Sequence, residues 1–103
     1  MQALRTGVEQ VACGFLEKPA ARTHAQTEAV VANVRAILEA GGSDLSKVLR
    51  CGVFLVDLRD FEKMNAVYAE VFGDHRPART TVQVVALPDP GLRVEIDAIA
   101  YRE

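Results

Sequence analysis

Arg79 and Glu95 are the residues whose types and positions could do chemistry on a small acid. An arginine fork suits bidentate capture of a carboxylate. A carboxylate partly shielded from water can act as a general base or hold a water molecule. Between the two lies Pro88-Asp89-Pro90-Gly91, a turn by composition. Strands joined by such a turn are expected to be antiparallel neighbours. Period-two alternation then sends Val82, Val84, Val94 and Ile96 to one face of the sheet. Thr81, Gln83 and Glu95 go to the other, with Arg79 at the start of its strand, so Arg79 and Glu95 are expected on one face, a few residues apart. Spacing alone favours a plain cross-strand ion pair, because ion pairs outnumber active sites.

The other reactive side chains are weaker candidates. Cys13 and Cys51 are far apart in apolar surroundings, form no C-x-x-C pair and match no zinc spacing, so reduced thiols are expected. Cys13 could be a nucleophile, but no adjacent base is visible. His24 and His75 lie next to expected helix ends, where a cap or loop role is commoner than metal binding. Ser43 and Ser46 have no partner histidine. Gly41-Gly42 is a helix stop, since no strand precedes it and no lysine follows as a phosphate loop requires. Asp89 and Asp97 lack metal-ligand spacing.

The elements that must position these residues follow from periodicity. Residues 2–15 predict a hairpin broken at Gly7, and residues 16–22 a loop marked by Pro19. A helix is expected over 23–40, with Thr23 and Gln26 as a capping box, Val30, Val34, Ile37 and Leu38 on its apolar face, and Gly41-Gly42 as its stop. Residues 48–56 are apolar on both sides from Cys51 onward and predict a central strand. A second helix over 60–72 starts at Asp60 and ends at Gly73, with Phe61, Met64, Val67 or Tyr68, and Val71 on its inner face. Strands are expected over 79–86 and 92–101. The order β-β-α-β-α-β-β predicts an α+β fold, a single mixed sheet with both helices packed on one face. Its other face carries apolar groups with no helix to cover it, which predicts a homo-oligomer.

Composition narrows the function classes. The chain has 103 residues, 12 Lys+Arg against 14 Asp+Glu and half its residues hydrophobic, which fits one folded domain over 1–103. A net charge of −2 argues against a general nucleic-acid binder. No apolar run reaches the ~18–20 residues of a membrane span and no secretion signal is visible, so a cytoplasmic domain is expected.

Several blocks then occur together in order: ILEAGGS, the VFL-D segment, N-x-x-Y-x-x-F, P-A-R before a strand, and E-I-D-A-I-A. In these the chain resembles the Rid family, the reactive intermediate deaminases, also called YjgF/YER057c/UK114 proteins. The resemblance covers residues 26–103 almost without interruption and residues 2–14 more weakly. It implies a chorismate-mutase-like fold and a homotrimer with active sites between subunits. It also implies hydrolysis of 2-imino acids, such as 2-iminobutanoate and 2-iminopropanoate, to 2-keto acids and ammonia, with no metal or organic cofactor. It makes Arg79, in P-A-R, the carboxylate anchor and Glu95, first acid of E-I-D-A-I-A, the residue that positions water. Asn65, in N-x-x-Y, matches a position lining the family site. Cys13-Gly14-Phe15 stands where the family has S-G-Q, and Thr81 where a cysteine is common. The family's G-P-Y-S/T-Q segment should be ending where this chain begins, so the domain is N-terminally short. The alternative is a non-catalytic trimer that binds small carboxylates or acts as a chaperone-like interaction protein. A ribonuclease reading is disfavoured by the acidic balance and the lack of a basic, aromatic-studded face.

Overall fold

In the computed structural model, residues 2–9 and 19–103 are described. Strand β1 (Gln2–Glu9) is followed by helix α1 (Pro19–Ala40), β2 (Val48–Leu55), helix α2 (Phe61–Phe72), β3 (Ala78–Gln83) and β4 (Val94–Arg102). The four strands form one mixed sheet in the order β1-β4-β2-β3. Both helices cover one face, as expected. Their apolar stripes (Val30, Val34 and Leu38; Met64, Tyr68 and Phe72) meet Val53, Leu55, Val94, Ile96, Ala98 and Ala100 in a single core.

Element boundaries hold the first corrections. Gly7 does not break β1, which runs through it and pairs along its whole length with β4. The expected second strand of that hairpin extends into residues 10–18, outside the described residues. Helix α1 begins at Pro19, inside the predicted loop and four residues before the expected start, because proline suits a first turn whose N–H groups lack helical acceptors. Thr23 and Gln26 therefore sit inside the helix and form no capping box. Both are buried and bond to other elements instead, Thr23 Oγ1 to Asp60 (2.9 Å) and Gln26 Nε2 to the Gly91 carbonyl (2.8 Å). The helix closes as predicted, with Gly42 at φ 84° and the Ser43 N–H donating to the Leu38 carbonyl at 2.8 Å.

The larger correction concerns topology. β3 and β4 are not neighbours: β2 lies between them, parallel to β3 and antiparallel to β4. Helix α2 makes β2–α2–β3 a crossover unit, and such a unit returns its second strand parallel to the first. The Pro-Asp-Pro-Gly segment then spans the end of β2. It is tied there by the Val84 N–H to the Leu55 carbonyl and the Val56 N–H to the Arg93 carbonyl (2.8 and 3.2 Å). Composition identifies that turn but does not say which strands it joins as neighbours.

Register fixes the faces. Cys51, Arg79 and Ala98 share one row, and Phe54, Val82 and Glu95 another. The rows are an odd number of residues apart, so they face opposite ways. Val82 therefore lies on the open face, 38% exposed, and not under the helices. Phe54, Glu95, Asp97, Ile99 and Tyr101 share that face and are half-buried. The predicted uncovered face exists, with Phe54, Val82, Ile99 and Tyr101 as its apolar groups.

Candidate active site

Arg79 projects toward the helices. Phe61, Asn65 and Tyr68 recur at helical spacing on α2 and form one stripe beside it. The Arg79 guanidinium carbon lies 4.6 Å from the Tyr68 ring centroid and 5.4 Å from that of Phe61. Its NH1 donates to Asn65 Oδ1 at 2.7 Å. Aromatic faces favour a cation above them, and the amide oxygen fixes one side of the fork. The remaining guanidinium donors have no acceptor among the described residues, so they can meet an anion.

Around this seat several polar atoms are buried and sparingly satisfied. Thr81, two places along the same strand face, has a buried hydroxyl with no partner among the described residues, and the Tyr68 hydroxyl meets the Cys51 thiol. Burial pushes the Tyr68 hydroxyl above the ordinary phenol range; the adjacent Cys51 thiol reinforces the shift and Arg79 opposes it. Burial likewise raises Cys51. Thiol and phenol are both neutral here, and the Arg79 charge is not cancelled from below. A groove of about 450 Å³ opens beside the seat, lined by Asn65, Tyr68, Phe72, His75, Arg76 and Arg79 among others.

Arg79, Asn65 and Thr81 thus gather at one edge of the helix-covered face. Glu95 does not join them. It lies on the open face beside Phe54, so the expectation that Arg79 and Glu95 share a face fails within one chain. Their separation has a simple cause: β3 pairs with β2 and inherits the register of Cys51, whereas Glu95 pairs with Phe54. Cys13 lies outside the described residues. Composition and periodicity missed Phe61 and Tyr68 as part of the seat, though the 61/65/68 spacing signals that the three residues share one helix face. Among the described residues no cluster of His, Cys, Asp and Glu could hold a metal ion. No described helix is long and apolar enough to cross a membrane.

The family described as Endoribonuclease L-PSP matches residues 13–102. The chain belongs to that family. It is similar to a RutC family protein of Pyrococcus horikoshii, 53% identical over 78 residues that make up 76% of this chain and 61% of that protein. Reactive Intermediate Deaminase A of Arabidopsis thaliana, a chloroplastic protein, is 45% identical over 75 residues, 73% of this chain and 40% of that protein. A solved YjgF/YER057c/UK114 family member from Mycobacterium tuberculosis superposes with a TM-score of 0.74 at 36% identity, over 76% of this chain and 66% of that one. These matches bear out the resemblance and the α+β architecture of this Endoribonuclease L-PSP domain. The chain spans about three-fifths of the length of the first curated relatives.

Proposed function

We propose that this domain hydrolyses 2-imino acids to 2-keto acids and ammonia in a homotrimer whose sites lie between subunits. Arg79 of one copy anchors the substrate carboxylate, with Asn65 and Thr81 beside it. Glu95 of a neighbouring copy holds the attacking water. The carrying observation is the preformed anion seat, an arginine laid over two aromatic rings and fixed by Asn65. The family relationship to a named reactive intermediate deaminase supports the choice of substrate.

The chemistry asks little of the protein. Water adds to the carbon of the protonated imine while Glu95 takes its proton, giving a neutral carbinolamine. That proton passes to the nitrogen; as the C–N bond breaks, Glu95 takes the hydroxyl proton, the carbonyl forms and ammonia leaves, and the glutamate then returns the proton to water. Fixing the carboxylate sets the imine carbon beside the held water, and positioning supplies much of the rate. Within one chain the two residues face opposite sides of the sheet, so a second copy must supply the glutamate.

Ammonia release from 2-iminobutanoate, generated in situ by an amino-acid oxidase, tests this reading. Wild type is expected to exceed the spontaneous rate, while Arg79→Ala and Glu95→Gln each fall by about 100-fold or more. An equal mixture of the two variants, unfolded and refolded together, regains about a quarter of wild-type activity, because one site in four draws both intact residues. No recovery on mixing overturns the shared site. The second reading, a non-catalytic carboxylate binder, is favoured by the seat being whole in a single chain. It predicts keto-acid binding lost in Arg79→Ala and no turnover by any form.

A further inference from the structure

The groove beside Arg79 carries more positive charge than one carboxylate requires. Its lining includes His75, Arg76 and Arg79 and no aspartate or glutamate, although acids outnumber bases 14 to 12 in the chain as a whole. His75 is fixed in place, its Nε2 2.8 Å from the Val48 carbonyl oxygen, which it donates to. Arg76 is exposed and makes no hydrogen bond or ion pair with any described residue. Its backbone, unlike its side chain, is constrained: Pro77 confines the preceding residue to extended conformations. Arg76 and Arg79 are at most roughly 10 Å apart at their Cα atoms. Two long side chains at that separation, lining one groove, can converge on the ends of a short diacid. Tyr68 and Phe72, which line the same groove, offer an apolar wall for the connecting carbons.

We infer that this groove selects doubly acidic substrates, with Arg79 on the carboxylate beside the imine and Arg76 on a distal carboxylate. Imines of four- and five-carbon dicarboxylic acids are then preferred over imines with uncharged side chains. Naming an imine rests on the deaminase reading; the two-anion seat does not.

The test compares kcat/KM for the imine of a four-carbon diacid, made by an aspartate oxidase, with that for 2-iminobutanoate. Wild type is expected to favour the diacid imine by about tenfold or more, as a charge-assisted hydrogen bond allows. Arg76→Ala removes that preference, chiefly through KM, and Arg76→Lys restores part of it. A wild-type ratio near one, or a ratio that Arg76→Ala leaves unchanged, overturns the inference while leaving the deaminase reading intact. If no imine is turned over, that reading fails instead. Binding of succinate against butanoate, followed by NMR, then decides the seat: wild type must prefer succinate about tenfold and Arg76→Ala must not. Equal binding of the two acids by wild type overturns it.

Discussion

At Asp57 one carboxylate does two local jobs. It accepts from the Arg59 backbone N–H at 2.9 Å, capping the short 3-10 turn Leu58–Asp60, and it pairs with the Arg59 guanidinium at 2.8 Å. The Arg59 side-chain bonds, followed by the backbone bond, lower its pKa from 3.8 to about 2. A carboxylate depressed in the folded state contributes stability that is present above its unfolded pKa and lost as pH falls through its folded one. Chemical-shift titration is therefore expected to place the Asp57 midpoint near pH 2, and Asp57→Asn to flatten the stability change between pH 4 and 2 relative to wild type. The same local logic explains what is legible in Arg79. Its type and motif mark it as a candidate anion anchor, but no residue near it in sequence says which side of the sheet it faces. That depends on Cys51, almost thirty residues away, through the parallel register.

At the scale of elements, Asp60 and Arg93 join pieces that local signals leave unconnected. The expected N-cap at Asp60 makes no side-chain cap bond to α2. Its carboxylate instead accepts from Arg93 NH2 (2.5 Å), Arg93 Nε (2.9 Å) and Thr23 Oγ1 (2.9 Å), tying α1, the start of α2 and the entry to β4 together. Both side chains are largely buried, at 11% and 20% exposure. Removing one partner strands the other, so Asp60→Ala is expected to cost about 3 kcal/mol in denaturant unfolding. Asp60→Leu with Arg93→Met should recover most of that loss, since apolar replacement of a whole buried pair is often neutral. The helices and the central strand are legible in the sequence because each carries its own periodicity. Strand adjacency is not, since alternation sorts residues into two faces without saying which strand lies alongside.

For the whole molecule, strand order decides when a native structure becomes available. β4 is the latest of the described strands to be synthesised, yet it sits between β1 and β2 and supplies Val94, Ile96, Ala98 and Ala100 to the core. Until it emerges from the ribosome, β1 has no partner strand among the described residues, and the inner faces of both helices lack the cover that Val94, Ile96, Ala98 and Ala100 supply. Contacts this distant in sequence form slowly and leave apolar surface exposed meanwhile. A stop codon just before Val94 is thus expected to yield an aggregating chain and not a folded, weakened domain, checked by the soluble fraction of a 93-residue product. Nascent chains of this domain keep apolar surface uncovered until β4 itself has been synthesised.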